Sequence, residues 1–336
     1  MTIYDIAREA GVSASTVSRV INHKPGIKES TRKRVQELLD RCGYTPDISA
    51  RGLVTQASRF IGILIEDIRV EHHTESVYEI EQAMTAQGYT CITLSTGPQP
   101  ERKAAAIQTL EQRRVEGVVL IGSMFGTPEV QQSVARHLPG IPVVLVNGQL
   151  DLPNAYNVLV DEQQGTADCV ALLAGAGRRH LAYLMDADTP ANRNKAAGFR
   201  AGLARSGLNA EEPVLLAEQA AGPGPRSAIA RGRRETAALL AQLPQVDGIL
   251  CADDLLAIGC LQELQARGIA VPGQVAVAGV DNTLYGQLCS PALTTLDNRL
   301  AEVSQTAAAL LLDVLQGKAV PHRQLLPAAV IVREST

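Results

Sequence analysis

The sequence predicts an α/β fold in which a small all-helical domain is followed by doubly wound parallel sheets. The first 45 residues contain three short amphipathic helical patterns separated by turn residues. From residue 60 onward, short β-branched apolar runs alternate with stretches of helical length, which is typical of parallel sheets covered by helices. The chain of 336 residues is long enough for about two domains whose cores need no disulfides.

Composition excludes several classes of protein. No run of about 18 consecutive apolar residues occurs, so we expect a soluble chain without a membrane span. The first nine residues lack the basic and apolar stretches of a secretory signal, which predicts a cytoplasmic location. The six cysteines are scattered without a C-x-x-C pair, so we expect reduced thiols and no metal site.

Basic charge is concentrated near the amino terminus. Residues 1–60 contain ten Lys or Arg and six Asp or Glu, whereas the remaining 276 residues contain 21 and 29. The net charges of the two segments are therefore +4 and −8, and the amino-terminal segment is the candidate for binding a polyanion. Charge alone is equally consistent with a solvated basic tail, so the choice between a tail and a polyanion-binding domain depends on the helical pattern of the segment.

The first 22 residues predict two short helices joined by a tight turn. Thr2 can cap a helix that begins at the next residue, with Asp5 in its first turn, where negative charge is favourable. Gly11 ends this helix because glycine adopts the left-handed conformation at low cost. Ser13 then caps a second helix, which extends to about Asn22.

The second helix has two different faces. Val17 and other apolar side chains point toward the first helix, whereas the opposite face carries the small, polar or basic residues Ala14, Ser15, Ser18 and Arg19. Such a face is typical of a helix-turn-helix that reads base edges in the major groove. A third helix over residues 29–42 completes this domain. The alternative interpretation is an ordinary helical hairpin with a solvated basic face.

Residues 2–22 resemble the headpiece of the lactose/galactose repressor (LacI/GalR) family of bacterial transcriptional regulators, and the resemblance continues through residues 43–46, 50–53 and 60–63. It implies a sequence-specific DNA-binding regulator with a headpiece at residues 1–45, in which Ala14 and Ser15 select the operator sequence and Arg19 contacts a base. The implied DNA-binding residues are Thr2, Tyr4, Ser13, Ala14, Ser15, Thr16, Ser18, Arg19, Asn22, His23, Arg32, Ala50 and Leu53.

Residues 46–59 form the hinge that this resemblance implies. It places Leu53 in the minor groove at the operator centre, where contacts to the bent DNA offset the cost of unstacking the bases. Gly52 weakens a hinge helix by about 1 kcal/mol relative to alanine, which favours a segment that only DNA and a partner chain bring into order. Without the resemblance, a plain linker is the preferred interpretation.

Apolar runs in the body predict eight buried parallel strands, enough for two sheets. The runs are residues 60–65, 90–94, 117–121, 142–146, 180–185, 214–217, 248–252 and 275–280. The resemblance implies a two-lobed body at residues 60–336, similar to periplasmic binding proteins, with three chain crossings. It places an N-terminal lobe at about 60–160 plus 290–322 and a C-terminal lobe at about 162–288 plus 323–333.

Ligands of open parallel sheets bind beyond the carboxyl ends of the strands, so polar residues directly after the apolar runs are candidate binding residues. Carboxylate and amide groups at these places suit a hydroxyl-rich ligand. With two basic residues from a motif that resembles the family's effector site, the candidate effector-binding residues are Glu66, Asp67, Ser123, Asn147, Arg193, Lys195, Asp253 and Asp281.

Two features of this set matter for the ligand. The resemblance implies that Asp281 bonds the effector, that Asp253 stands where asparagine is usual, and that Asp254 is a structural cap, although capping alone also explains each aspartate. Lys195 takes the place of an arginine that grips the effector. Because lysine lacks the planar fork of arginine, the ligand geometry must differ or Arg193 must take over.

A small molecule, by resemblance a carbohydrate, is the expected effector, although aromatic side chains for stacking a sugar ring are few. No nucleophile elbow, phosphate loop or zinc-ligand spacing occurs, so we predict no enzymatic activity, no cofactor and no metal. One alternative is a regulator of the same fold that a protein partner controls, such as a phosphorylated carrier. Another is a cytoplasmic ligand-binding receptor without a DNA role.

The sequence predicts a homodimer on double-stranded DNA. One headpiece makes few base contacts, each worth about 1 to 3 kcal/mol against a wrong base, so useful specificity requires a near-palindromic operator. We expect a nucleoid-associated repressor in which effector binding changes the angle between the lobes, with a coupling of about 1 to 3 kcal/mol. No leucine heptads follow the last apolar run, which favours a dimer over a tetramer.

Overall fold

A computed structural model of the chain describes residues 2–21, 24–43, 58–185, 187–209, 214–216 and 225–336. Contacts between residues divide the chain into two units, Met1–Ser58 and Arg59–Thr336, which we call the helical unit and the body. Most of the implied hinge, including Ala50 and Leu53, lies outside the described residues. None of the helices in the described ranges is long and apolar enough to cross a membrane.

Three helices form the described part of the helical unit: α1 (Ile3–Ala10), α2 (Ala14–Ile21) and α3 (Glu29–Arg41). Thr2 and Asp5 form a capping box at the start of α1, because each side chain accepts a hydrogen bond from the backbone N–H of the other. Gly11 ends α1 in the left-handed conformation, at a φ of 61°. Apolar side chains of all three helices share one buried core. The predicted pair of helices and the turn between them are confirmed.

Two six-stranded sheets form the body. The first sheet has the order β11-β5-β4-β3-β1-β2 and the second has the order β12-β10-β9-β8-β6-β7. Every described pairing is parallel except that of β12 with β10. The strands are β1 (Phe60–Ile65), β2 (Thr90–Ser95), β3 (Gly117–Ile121), β4 (Val143–Val146), β5 (Ala155–Val160), β6 (Leu181–Met185), β7 (Val214–Leu216), β8 (Gly248–Cys251), β9 (Ala276–Val280), β10 (Thr294–Asp297), β11 (Arg323–Leu326) and β12 (Ala329–Ile331).

Helices cover both faces of each sheet, and a sheet with its helices is called a lobe below. The helices are α4 (Glu71–Ala86), α5 (Pro100–Gln112), α6 (Pro128–His137), α7 (Glu162–Gly175), α8 (Pro190–Arg205), α9 (Pro225–Gln242), α10 (Asp254–Ala266), α11 (Leu284–Leu288) and α12 (Leu300–Leu315). Ile63 of β1 packs in a core with α4 and α12, whereas its neighbour Leu64 packs in another core with α5 and α6. In the second lobe, α7 and α8 pack on one face and α9 and α10 on the other. The predicted doubly wound architecture is confirmed.

The lobe boundaries differ from the predicted ones in two places. β10 falls in the segment 290–322 that was assigned to the first lobe, yet it pairs with β9 in the second sheet. β11 begins at residue 323, where the second lobe was expected, yet it pairs with β5 in the first sheet. β5 has no continuous apolar run because Asn157 interrupts it, and the backbone of Leu150 satisfies this buried amide. The chain therefore crosses between the lobes after residues 160, 297 and 326.

Candidate nucleic-acid interface and effector cavity

The second helix of the helical unit presents the residues predicted to read DNA. Ser13 precedes α2, and its Oγ accepts a hydrogen bond from the N–H of Thr16 at 3.2 Å. On the helix itself, Val17 is buried in the core, whereas Ser15 and Arg19 are exposed on the other side. Because the buried stripe fixes the helix against the core, the opposite stripe is free to approach a DNA groove.

Two arginines hold the chain that follows α2. Arg19 Nη2 donates to the carbonyl of Pro25 at 3.0 Å, and Arg32 Nη2 donates to the carbonyl of Lys24 at 2.9 Å. Tyr4 leaves 71% of its surface exposed. Of the remaining predicted DNA-contacting residues, Ala14 and Ser18 are half-buried on α2, whereas Asn22, His23, Ala50 and Leu53 lie outside the described residues.

A cavity of about 560 Å³ lies in the body between the carboxyl ends of the two sheets. Its lining includes seven of the eight predicted effector residues: Glu66, Asp67, Ser123, Asn147, Lys195, Asp253 and Asp281. Arg193 does not line it, because its guanidinium forms two hydrogen bonds with the exposed Asp188, at 2.6 and 2.8 Å. Positions two apart on a helix point in different directions, so Lys195 and Arg193 cannot both face the cavity.

Lys195 is held inside the wall of the second lobe. Only 6% of this residue is exposed, and its Nζ donates to the carbonyl of Ala252 at 2.9 Å. The carboxylate of Glu162 lies 3.6 Å from the same Nζ. Burial raises the pKa of Glu162, and the charge of Lys195 opposes this shift. The lysine therefore joins α8 to the end of β8 and to α7.

Asn298 connects two carboxylates at the cavity wall. Its Nδ2 donates to Asp281 Oδ1 at 2.9 Å and to Glu162 Oε1 at 3.2 Å. Asp281 has a φ of 100°, a backbone conformation that Asp and Asn tolerate better than most residues. Glu162 and Asn298 directly follow two of the chain crossings, so the crossings themselves bring these side chains together.

The neighbouring aspartates Asp253 and Asp254 have different roles. Asp253 Oδ1 caps α10 by accepting the N–H of Leu256 at 2.8 Å, so the cap is Asp253 and not Asp254 as expected. Asp254 is completely buried and accepts hydrogen bonds from Thr283 N, Thr283 Oγ1 and Thr295 Oγ1 at 2.7 to 2.9 Å. Burial raises the pKa of Asp254 to about 7.

In the first lobe, two carboxylates of the cavity, Glu66 and Asp67, are paired with cations of the same lobe. Lys103 is 2% exposed, and its Nζ lies 3.1 Å from Glu66 Oε2 and 2.9 Å from the carbonyl of Met124. Arg69 makes two side-chain hydrogen bonds to Asp67 and thereby lowers the pKa of that carboxyl. His73 is buried on the same wall, and burial lowers its pKa to about 4, so it is neutral at pH 7.

The two lobes touch across the cavity. Glu71 of α4, in the first lobe, accepts a hydrogen bond from the N–H of Leu284 in the second lobe at 3.1 Å. Next to it, His72 Nδ1 lies 3.6 Å from Asp281 Oδ2. A ligand in the cavity therefore meets groups of both lobes near points where the lobes already contact each other. In the part of the chain that the structure describes, no group of three or more His, Cys, Asp or Glu is arranged to hold a metal ion.

Comparison with known proteins assigns the chain to a family. Residues 2–47 match the family model of bacterial regulatory proteins, lacI family, and residues 170–336 match that of a periplasmic binding protein-like domain. An HTH-type transcriptional regulator of Lachnoclostridium phytofermentans is 31% identical over 338 residues, which cover 100% of this chain and 99% of the relative. The chain belongs to the lacI family. It is therefore a DNA-binding transcriptional regulator.

Other members of the lacI family and solved structures agree with this assignment. The HTH-type transcriptional repressor PurR of Vibrio parahaemolyticus is 30% identical, covering 94% of this chain and 92% of that repressor. Catabolite control protein A of Priestia megaterium is 27% identical, covering 100% and 99%. A lac repressor dimer bound to operator and the anti-inducer ONPF has the same fold, with a TM-score of 0.87 at 24% identity and coverage of 100% and 98%.

Several cavity residues of this lacI-family regulator are not predicted by the sequence. Glu162 and Asn298 follow β5 and β10, two strands that are not among the apolar runs of the sequence. If those strands are recognised, the rule that ligands bind beyond the carboxyl ends of strands identifies both residues. Tyr285 and His72 also line the cavity, but no sequence signal marks them, because each lies on a helix that tertiary packing brings to the cavity.

Proposed function

We propose that this regulator is a repressor that binds a near-palindromic operator as a homodimer, and that a small hydroxyl-bearing effector in the interlobe cavity changes its operator affinity. The observation that carries the proposal is the cavity itself, because hydrogen-bonding side chains of both lobes line it. A ligand that contacts both walls binds best at one angle between the lobes, so its binding energy shifts the population toward that angle.

The polar lining supports a carbohydrate or a related compound. A carboxylate such as Asp281 accepts hydrogen bonds from hydroxyl groups, whereas the amides of Asn147 and Asn192 both accept from them and donate to them. Two regulators of the same fold were solved with sugars: the CelR–cellobiose complex, with a TM-score of 0.72 at 24% identity, and an Enterococcus faecium regulator with bound ribose, with a TM-score of 0.71 at 22% identity. These sugars belong to those proteins, but they support the chemical class.

Exposed apolar side chains on the body support the homodimer. Ile68 and Tyr78 flank the first turns of α4, and Leu284, Tyr285 and Leu288 lie on α11, each more than half exposed. The hydrogen bond from Leu284 N to Glu71 places the start of α11 next to the start of α4. Exposed apolar side chains on neighbouring elements are typical of a protein interface. Leu288→Glu should convert the dimer to a monomer in analytical ultracentrifugation.

The proposal is tested in two steps. An operator is first selected from random double-stranded DNA with the full-length protein, and sugars, sugar phosphates and nucleosides are then screened for a rise in thermal stability. We expect one class of compound to stabilise the protein and to change its affinity for the selected operator. Asp281→Asn should abolish the stabilisation, whereas the exposed control Asp188→Asn should retain it. Selective DNA binding that responds to no small molecule and requires another protein would contradict the effector part of the proposal.

A further inference from the structure

The cavity carries more negative than positive charge. Among the described residues that line it, seven have carboxyl side chains and three have cationic ones, Arg69, Lys195 and Arg231. Lys103 lies behind Glu66 and adds a fourth cation. Even if every cation neutralises one carboxylate, three carboxyl groups remain in excess. Burial raises the pKa of Asp254 to about 7 and also raises the pKa of Glu162, so protonation of these two groups offsets at most two of them.

This excess lies mainly on the wall of the second lobe. In the first lobe, Lys103 pairs with Glu66 at 3.1 Å and Arg69 pairs with Asp67 at 2.6 Å, so among the described residues of that wall only Glu71 is in excess. The second lobe contributes Glu162, Asp253, Asp254 and Asp281, against only Lys195 and Arg231. Four carboxyl groups against two cations make the wall of the second lobe negative, and a bound cation reduces the cost of burying this charge.

The geometry at Asn298 shows where such a cation fits. Asn298 lines the cavity, is 3% exposed, and holds Asp281 and Glu162 side by side through hydrogen bonds from its Nδ2. The Oδ1 of the same amide is buried and accepts no hydrogen bond. Two carboxylates and one unpaired carbonyl oxygen therefore form a group of acceptors. A primary ammonium supplies three N–H donors and one positive charge, which matches this group.

We propose that the effector of this regulator is a hydroxylated amine, such as an amino sugar, and that its ammonium group binds at Glu162, Asp281 and Asn298. The inference rests on the proposed function, since it names the chemical class of the ligand in the same cavity. A metal ion does not fit the described residues, because none of their carboxylate and histidine groups is arranged as a metal site. An anionic sugar meets repulsion from the excess carboxylates.

Matched sets of ligands test this inference on the full-length protein. Glucosamine, galactosamine and mannosamine are each compared with the parent sugar, the N-acetyl derivative and the 6-phosphate in thermal-shift and calorimetric titrations. Because a charge-assisted hydrogen bond is stronger than a neutral one, at least one amine should bind about tenfold tighter than its neutral counterparts. Asp281→Asn and Glu162→Gln should remove this preference, and the control Asp188→Asn, outside the cavity, should keep it.

The outcomes separate the inference from the proposed function. If an amine and its parent sugar bind equally, or if a phosphate binds more tightly, the proposal of a bound ammonium group is wrong. The proposal that the cavity binds an effector is then unaffected. If the preference for amines persists in both carboxylate variants, the ammonium group does not bind at Glu162 and Asp281, and the proposed site is wrong. If no compound of any class stabilises the protein or changes its operator affinity, the inference and the effector part of the proposed function fail together.

Discussion

The helical unit and the body differ in the sequence separation of the residues whose hydrogen bonds hold the functional side chains in place. In the helical unit, Thr2 bonds Asp5 and Ser13 bonds Thr16, each three positions away. In the body, the hydrogen bonds around the cavity join residues 57, 136 and 213 positions apart. The first arrangement forms as soon as a helix forms, whereas the second exists only after both sheets have assembled.

This difference also separates the two units chemically. Caps and short turns keep their polar groups near solvent, and backbone hydrogen bonding to Thr2 lowers the pKa of the exposed Asp5. Long-range packing instead buries ionisable groups, as with Asp254, Lys103 and Glu162. Changes in the body should therefore affect stability strongly and depend on pH, whereas changes in the helical unit should be smaller and local.

The largest expected effect is the pH dependence that Asp254 gives to the body. Its pKa is about 7 in the folded state and 3.8 as the ordinary value, so the folded protein holds a proton that the unfolded chain loses between these pH values. Stability from this group is complete below about pH 4 and is lost as the pH rises toward 7. Asp254→Asn should remove this pH-dependent loss of stability, which amounts to at most about 4 kcal/mol between about pH 4 and pH 7. Urea unfolding at several pH values measures the free energy of unfolding of both proteins. If it changes with pH in the same way in the original protein and the variant, Asp254 is not the cause of the pH dependence.

Gly198→Ala should lower the free energy of unfolding of the body by about 3 kcal/mol, since overpacking a close contact between helices has costs of this size. A Cβ at this position of α8 lies 2.1 Å from the carbonyl oxygen of Gln163, which belongs to the backbone of α7. The matched control is Gly175→Ala at the end of α7, where a Cβ meets no atom within 4 Å. Chemical denaturation should show the control to be as stable as the original protein.

Lys103→Met should destabilise the body by about 2 to 3 kcal/mol, because it leaves Glu66 without its cation. The cost is below that of a fully buried pair, since the side chain of Glu66 is 25% exposed. Adding Glu66→Gln should restore most of the lost free energy of unfolding in the same denaturation experiment. If the double variant is no more stable than the single one, the ion pair is not the cause.

Arg19→Ala tests the recognition helix and leaves the body unchanged. Loss of one base contact corresponds to about 2 kcal/mol, or roughly thirtyfold in operator affinity for each half-site. Arg8→Ala is the matched control, because Arg8 is an exposed arginine of α1 in the same unit. Fluorescence anisotropy with the selected operator measures both affinities. Equal losses in the two variants would indicate a general charge effect without base reading.

The smallest effect is expected for helix caps, which occur in both units. Thr2→Ala removes the cap of α1 and should cost about 1 kcal/mol in the helical unit, while Thr189→Ala should cost a similar amount at α8 of the body. Amide hydrogen exchange distinguishes the effects of the two variants, because faster exchange should be confined to the helix that lost its cap. Faster exchange in both units from either change would show that their stabilities are coupled.

Most of the fold and much of the cavity could be predicted from the sequence. All eight predicted runs overlap strands of the structure, and seven of eight predicted effector residues line the cavity, because a residue directly after a parallel strand must lie at the carboxyl edge. Arg193 was placed at the cavity because its neighbour Lys195 is there, but the rotation of α8 turns it toward Asp188. Glu162 and Asn298 were missed together with the strands that precede them.

The sequence by itself determined the helical unit and the succession of strands and helices, because caps, turn glycines and periodic apolar residues act within one or two turns of the chain. Only the tertiary structure decided which sheet β10 and β11 join, and that Lys195 is bound by the carbonyl of Ala252 and by Glu162. The physical reason is that these contacts depend on where the chain crosses between lobes, and a crossing changes no local pattern.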